Sequence, residues 1–165
     1  MGKVYSLKNI QKIPASLEST WKFFSDPQNL HLLTPPFLNL TITNKLFGNE
    51  VYAGQVMTYH VKPLLGIKVS WMTEITHVEA MKFFVDEQRK GPYKLWHHQH
   101  HFKEIEGGVE MTDLVHYRLP FGFFGEAGHG IIVKKKLHEI FQYRFEKIVA
   151  LFGKWENEEM NLQID

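Results

Sequence analysis

Alternating apolar and polar residues over positions 94–120 predict two β-strands joined by a tight turn at Gly107 and Gly108. A Gly-Gly pair supplies the positive φ that a two-residue hairpin turn requires. The turn sets the predicted register, whose facing pairs are Glu106–Val109, Phe102–Asp113, His100–Val115, His98–Tyr117 and Trp96–Leu119. Because side chains alternate across a strand, the hairpin has two faces of different character.

One face of the predicted hairpin is mostly apolar with a few polar groups set into it; it contains Trp96, His98, His100, Phe102, Met111, Asp113, Val115, Tyr117 and Leu119. The opposite face is largely polar and carries His97, Gln99, His101, Lys103, Glu110, Thr112, His116 and Arg118. We expect the first face to look into the protein interior and the second to face water. Buried polar groups cost free energy unless they are paired, so the polar members of the first face need an explanation.

The same patterns predict the remainder of the sheet. A first strand over residues 3–13 ends at Pro14, and a helix that begins after the N-cap Ser16 reaches Ser25. A second short helix is predicted over residues 27–33. Further strands are predicted over residues 37–44, 55–62, 67–77 and 81–88. Short separators favour an antiparallel meander, which gives a sheet of about seven strands interrupted early by two short helices.

The longest helical pattern lies near the end of the chain, over residues 131–152. Its apolar stripe includes Leu137, Phe141, Phe145 and Ile148, whereas Arg144 and several lysines are assigned to the opposite side. A helix of this length spans about 30 Å, long enough to cover the concave face of a sheet. The glycine- and phenylalanine-rich segment 121–130 before it is predicted to act as an apolar lid at the entrance of a cavity.

Composition narrows the class of protein. Charged residues make up 22% of the 165 residues and the net charge is +1, so there is no broad positive field for nucleic acid. The chain has no cysteine, which excludes disulfides, thiolate metal sites and a cysteine nucleophile. No apolar run reaches the length of a membrane span, and the N-terminus lacks a signal-peptide pattern. We therefore expect a cytoplasmic protein of bacterial type, with one domain over residues 1–153 and a frayed acidic tail over residues 154–165.

Two segments carry a resemblance to a known family. The run FVDEQRKGPYKLWHHQHHF, followed by GGVEMTDLVHYRLPFG and a basic-hydrophobic helix, resembles the SRPBCC superfamily of START-related, birch-pollen-allergen-like and polyketide cyclase-like proteins. The resemblance extends from Val4 to about Phe152 and is strongest from Phe84 to Gly122. It is most similar to small bacterial members described only as ligand-binding or cell-division-inhibitor-like.

The resemblance implies an α+β helix-grip fold, in which a curved seven-stranded antiparallel sheet wraps around the long C-terminal helix. It also implies a deep, mostly apolar cavity between sheet and helix. The expected partner is a hydrophobic small molecule: a lipid, a polyketide-like compound or a polycyclic aromatic. A cyclase or aromatase that uses cavity His, Asp and Tyr residues is the alternative, and an interaction module with a filled cavity is a third. Monomer and homodimer both remain open, and no cofactor is expected.

The candidate site residues follow from the inward face and from large side chains elsewhere. The predicted ligand-contacting residues are Trp71, Trp96, His98, His100, Phe102, Met111, Asp113, Val115, Tyr117 and Phe141. His98 and His100 have the His-x-His spacing of a metal site with Asp113 as a third ligand, but their apolar neighbours favour a ligand-orienting patch, and we expect no tightly held ion. The catalytic residues stay unknown, although His98, His100 or Asp113 have acid–base chemistry suited to proton transfer.

Two further points stay open at this level. The apolar pattern around Asp86 and Gln88 does not decide whether these two side chains point inward. His97, His101 and His116 form a second cluster on the opposite face, which we interpret as a solvated surface.

Overall fold

The computed structural model describes residues 2–63, 67–120 and 132–165. Its strands are β1 Tyr5–Ile13, β2 Thr41–Ile42, β3 Val56–Val61, β4 Val69–Glu79, β5 Phe83–Lys90, β6 Leu95–Ile105, β7 Gly108–Arg118 and β8 Asn161–Ile164. Its helices are α1 Leu17–Ser25 and α2 Lys134–Phe152, with 3₁₀ helices at Pro27–His31 and Pro36–Leu38. Within these residues the eight strands form one antiparallel sheet in the order β2-β3-β4-β5-β6-β7-β1-β8.

This architecture confirms the predicted α+β helix-grip fold, with short helices after the first strand and a long helix near the end of the chain. The sheet of the described residues has eight strands, one more than predicted. Ser16 caps α1 as expected, because its side chain accepts a hydrogen bond from the Ser19 backbone N–H. The predicted lid over residues 121–130 lies outside the described residues. None of the helices in the described part of the chain is long and apolar enough to cross a membrane.

The register predicted for the central hairpin is wrong by two residues. Phe102 pairs with Met111, and His100 pairs with Asp113. The turn is formed by Glu106 and Gly107, which adopts a φ of +85°. A shift of two residues returns every side chain to the same face, so the predicted inward and outward faces are unchanged.

Gly108 belongs to β7 rather than to the turn, and close packing explains why it is a glycine. A Cβ at this position would lie 2.1 Å from the Ile13 carbonyl oxygen and 3.0 Å from the Trp155 ring. Ile13 is the last residue of β1, whose backbone cannot retreat without disturbing its ladder with β7. The second glycine therefore permits the close approach of backbone and indole, while the first supplies the positive φ.

We expect Gly108→Ala to lower the free energy of unfolding by about 3 kcal/mol, the upper end for an overpacked core site. Gly54→Ala is the matched control, because Gly54 has a φ of +89° but no atom within 4 Å of the added Cβ. That control introduces backbone strain alone, about 1–2 kcal/mol. Urea unfolding of both variants tests the prediction, and equal losses would contradict the packing argument.

The expected fraying of the tail is wrong for residues 161–164. They form β8, which pairs with β1 and places Leu162 and Ile164 against a core cluster. Upstream, the Trp155 ring contacts Gly108, and Glu158 accepts a hydrogen bond from the Lys12 backbone N–H at 2.6 Å. Leu162 and Ile164 alternate with polar residues, and this alternation favours an edge strand although the tail is acidic.

Helix α2 packs through four buried side chains, Leu137, Phe141, Arg144 and Ile148. Leu137 and Phe141 join a cluster with Leu7, Val115 and Tyr117, which brings the first half of the helix onto β1 and β7. Phe145, assigned to the buried stripe from sequence, is only partly buried, and Arg144 takes its place. The helix thus carries a cation into the interior.

Candidate functional site

Five polar side chains converge where the sheet faces α2: Asp86, His98, His100, Asp113 and Arg144. The histidines project from β6, the aspartates from the flanking strands β5 and β7, and the arginine from α2. Strand pairing brings them together, since Asp86 lies opposite His98 and Asp113 lies opposite His100. Directly opposite residues in a sheet have adjacent side chains, so the two histidines lie between two carboxylates.

Asp113 contacts three other members of this cluster and is 1% exposed. Its Oδ1 lies 3.1 Å from His98 Nε2, 2.9 Å from His100 Nδ1 and 3.1 Å from an Arg144 Nη atom. One carboxylate oxygen thus contacts three nitrogens. Its other oxygen, Oδ2, is buried and has no hydrogen-bond partner among the described residues.

Asp86 occupies the opposite side of the histidine pair. Its Oδ2 lies 2.9 Å from His100 Nε2 and 3.5 Å from His98 Nδ1. The two imidazoles lie against each other with 3.8 Å between ring centroids, and Phe84 stacks on His100 at 4.2 Å. Each ring therefore presents one nitrogen to Asp113 and the other to Asp86.

The environment separates the pKa values of these groups. Burial raises the pKa of Asp113, but the Arg144 guanidinium and hydrogen bonds from His100 and His98 outweigh it and hold that pKa well below its usual range. Burial likewise opposes ionisation of Asp86, yet a hydrogen bond from His100 and nearby positive charges lower its pKa. Both aspartates are therefore ionised at neutral pH.

The two histidines shift in opposite directions. Burial lowers the pKa of His98, and the neighbouring His100 lowers it further. Burial also acts against protonation of His100, but hydrogen bonds to Asp113 and Asp86 raise its pKa. The cluster therefore combines two carboxylates and one guanidinium with two imidazoles whose pKa values are shifted apart.

A cavity of about 190 Å³ opens beside this cluster. Its polar wall is formed by Asp86, His98, His100 and Arg144. The rest of its lining is mainly apolar or aromatic: Leu30, Leu33, Thr34, Leu38, Leu40, Tyr59, Val61, Pro63, Trp71, Tyr93, Trp96, Leu137, Ile140 and Phe141. A second cavity of about 80 Å³ borders Asp86, His100 and Arg144 from the side of α1 and β3.

An aromatic wall adjoins the polar one, since the Trp96 and His98 ring centroids are 6.2 Å apart. Trp71 meets Tyr93 and Trp96 edge to face, with both ring centroids at 5.7 Å. The Trp71 Nε1–H is buried and has no acceptor among the described residues. Tyr59 contacts Thr73 at 2.7 Å between hydroxyl oxygens, and burial raises the pKa of that tyrosine.

The residues predicted from sequence divide into two groups. Trp71, Trp96, His98, His100 and Phe141 line the larger cavity. The remainder, Phe102, Met111, Asp113, Val115 and Tyr117, are buried and do not belong to the lining of that cavity. Asp113 contacts the site through the two histidines and Arg144.

Two members of the cluster were not predicted. Arg144 was assigned to the exposed side of α2, although its spacing from Leu137, Phe141 and Ile148 places it on the buried stripe. The sequence pattern does not decide the orientation of Asp86, and the structure turns it inward with Phe84. Gln88 instead binds the Tyr93 backbone through both ends of its amide.

The outward histidines form a separate, half-buried ladder. His97 pairs with Glu87 at 3.0 Å and contacts Gln99 at 3.2 Å, and His101 contacts Gln99 at 2.9 Å. His116 faces His97 rather than Gln99, which follows from the corrected register. These side chains lie on the opposite side of β6 and β7 from the cavity.

Comparison with solved structures shows that the fold is shared along almost the whole chain. Ms6760 from Mycobacterium smegmatis is 21% identical, with 88% of this chain and 89% of that chain covered at a TM-score of 0.62. CV1439 from Chromobacterium violaceum is 12% identical, with 91% and 99% covered at 0.66. Ara h 8.0201 is 13% identical, with 90% and 99% covered at 0.57. No protein-family model and no curated protein matches the sequence. These structural likenesses show the fold.

Proposed function

Because the chain has the helix-grip fold of the SRPBCC superfamily, we propose that it binds a hydrophobic small molecule with one polar end in the cavity between sheet and α2. One observation carries this proposal: aromatic side chains and charged side chains line the same cavity. Binding sites for small molecules commonly combine apolar lining with a few polar groups that fix orientation.

The cavity favours a compact ligand. Drug-sized ligands occupy roughly 300–1,000 Å³, whereas a dry cavity of roughly 150 Å³ accepts benzene. The cavity of this protein, about 190 Å³, is closer in volume to the cavity that accepts benzene. Among the classes considered from sequence, a ligand of one or two fused aromatic rings, or a short polyketide-like molecule, fits this space better than a long lipid chain.

The polar groups favour an oxygen on that ligand. Trp71 has a buried N–H without an acceptor, and a carbonyl or hydroxyl oxygen placed at its wall would satisfy it. On the other wall the imidazoles of His98 and His100 border the same cavity. A ligand with an apolar ring body and one oxygen substituent therefore complements both walls.

Two probes of similar size test the proposal, 1-naphthol and 1-methylnaphthalene, titrated against chelator-treated protein by calorimetry. We expect saturable one-site binding of both, with 1-naphthol the tighter. Trp71→Phe keeps a ring but removes the N–H, so it should weaken 1-naphthol by about tenfold and 1-methylnaphthalene much less. The control His97→Gln, on the outer face, should leave both affinities unchanged. Absence of saturable binding of either probe to folded protein would contradict the proposal.

A second candidate is a cyclase- or aromatase-type enzyme, favoured by two imidazoles that are held by carboxylates beside an apolar cavity. Such a pair is suited to removing a proton next to a carbonyl and protonating its oxygen. Hydrogen–deuterium exchange at C1 of 2-tetralone, followed by NMR, tests it. If the protein is an enzyme of this type, exchange should be faster in its presence than in buffer, and His98→Gln should abolish the increase. Exchange at the buffer rate would contradict the enzyme function and would leave ligand binding as the proposed function.

A further inference from the structure

The histidine pair has an unusual arrangement on the side facing Asp86. Asp113 Oδ1 lies 3.1 Å from His98 Nε2 and 2.9 Å from His100 Nδ1, so both of these nitrogens are turned away from Asp86. The remaining nitrogens, His98 Nδ1 and His100 Nε2, face Asp86 Oδ2 at 3.5 and 2.9 Å. Ligating atoms of these three residues lie within 4.8 Å of one another.

A single proton on His100 Nε2 bridges only the shorter of these two contacts, since His98 Nδ1 lies 3.5 Å from the same oxygen. A metal ion bonded to both nitrogens and to the Asp86 oxygen would engage all three atoms at once.

We propose that Asp86, His98 and His100 form a binding site for a divalent transition-metal ion, with Asp113 as the group that orients both imidazoles. Two imidazoles and one carboxylate are a donor set for Zn²⁺, Fe²⁺ or Co²⁺. Two ligands each about 2.0–2.1 Å from a tetrahedral ion are about 3.3 Å apart. The separations of 2.9 and 3.5 Å from the Asp86 oxygen bracket that spacing.

The surroundings match those of metal-bound histidines. Such histidines commonly donate their second ring N–H to a carboxylate, which fixes the tautomer and the ring orientation. Here Asp113 Oδ1 lies 3.1 Å from His98 Nε2 and 2.9 Å from His100 Nδ1, and the Arg144 guanidinium neutralises this carboxylate at 3.1 Å from the same oxygen. The guanidinium contacts His100 at Nδ1, the nitrogen turned away from Asp86, at 3.5 Å.

The proposed ion would have open coordination positions on the cavity side. All three ligands line the larger cavity, and three protein ligands leave at least one position for water or for a ligand oxygen. The ion would then act as a Lewis acid toward an oxygen-bearing molecule in the cavity. The proposal differs from the expectation of no tightly held ion, which rested on the apolar neighbours of the histidines and considered Asp113, not Asp86, as the third ligand.

Titration of chelator-stripped protein with Co²⁺ tests the site directly, because the visible absorption of Co²⁺ reports its coordination number. We expect one equivalent of Co²⁺ with the absorption of a four- or five-coordinate ion, displaced by one equivalent of Zn²⁺. Asp86→Asn and His98→Gln should each weaken binding by at least 100-fold. Asp113→Asn, which changes an orienting group and not a ligand, should weaken it about 10- to 100-fold.

The outer-face variants His97→Gln and His101→Gln are the matched controls and should bind Co²⁺ like the natural protein. Zinc X-ray absorption on the unsubstituted protein supplies a measurement that needs no variant, with two imidazole ligands expected. Failure to bind Co²⁺ or Zn²⁺, binding that persists in Asp86→Asn, or binding lost in the outer-face variants would overturn the site. The naphthol titration uses chelator-treated protein, so its outcome is independent of this one.

Discussion

Replacing Arg144 with methionine is expected to lower the free energy of unfolding by about 3–5 kcal/mol, the range for leaving one partner of a buried ion pair uncompensated. Arg144 is 8% exposed, and its guanidinium lies 3.1 Å from a carboxylate that is itself 1% exposed. Methionine retains an apolar, unbranched side chain, so most of the loss comes from the charge left on Asp113. The two histidines that contact Asp113 remain in place and limit the loss to this range.

Urea unfolding of Arg144→Met, Asp113→Asn and the double variant measures the interaction as a double-mutant cycle. The double variant should lose less than the two single losses combined, because it leaves no unpaired buried charge. Arg89→Met is the control: its ion pairs with Glu74 and Glu87 lie on the surface, and we expect a loss below about 1 kcal/mol. A loss of that size for Arg144→Met would show that the buried pair contributes little.

The inward-facing residues of the hairpin could be predicted from the sequence. Side chains alternate between the two faces of a strand, so a shift of two residues in the register leaves each side chain on the same face. The predicted pairing was off by two residues, yet His98, His100 and Asp113 still face the interior. The partners of each histidine could not be predicted in the same way. The strand pairing depends on which residues form the turn. Gly108 is packed closely against Ile13 and Trp155, which are distant in sequence, and this packing places Gly108 in β7 and leaves Gly107 in the turn.

The orientation of Asp86 could not be predicted because apolar residues stand at both odd and even positions of β5. Phe84 and Val85 are both buried, on opposite faces of the strand. The ladder between β4 and β5 also contains two irregularities, which alter the alternation locally. Asp86, the third residue of the proposed metal site, could therefore be identified only from the observed pairing of β5 with β6.

Arg144 was missed for a different reason. A charged residue is rarely buried without partners, so sequence reasoning assigned it to the solvent-facing side of α2. Its partner Asp113 is on β7, 31 residues earlier in the chain. Helical spacing places Arg144 on the buried stripe with Leu137, Phe141 and Ile148, whereas its charge predicts the exposed side.

Truncation of Phe141 is expected to cost about 3–5 kcal/mol, as for other buried phenylalanines replaced by alanine. Phe141 is 3% exposed, packs in the core cluster of Leu7 and Tyr117, and also lines the larger cavity. Its ring therefore both holds α2 on the sheet and limits the space available to a ligand. The variant should be less stable and should accept a larger molecule.

Urea unfolding measures the first effect of Phe141→Ala, and calorimetric titration with 1-naphthol and 1-pyrenol measures the second. We expect the ratio of the two affinities to shift toward 1-pyrenol in the variant, because the removed ring enlarges the cavity beside His98. Leu151→Ala, at a side chain that is 46% exposed on the same helix, should change the stability by less than about 1 kcal/mol and leave the ratio unaltered. A loss below about 1 kcal/mol for Phe141→Ala would show that α2 is peripheral to the core. An unchanged affinity ratio in a folded variant would instead show that the probes bind outside the cavity, because the Phe141 ring limits ligand size only inside it.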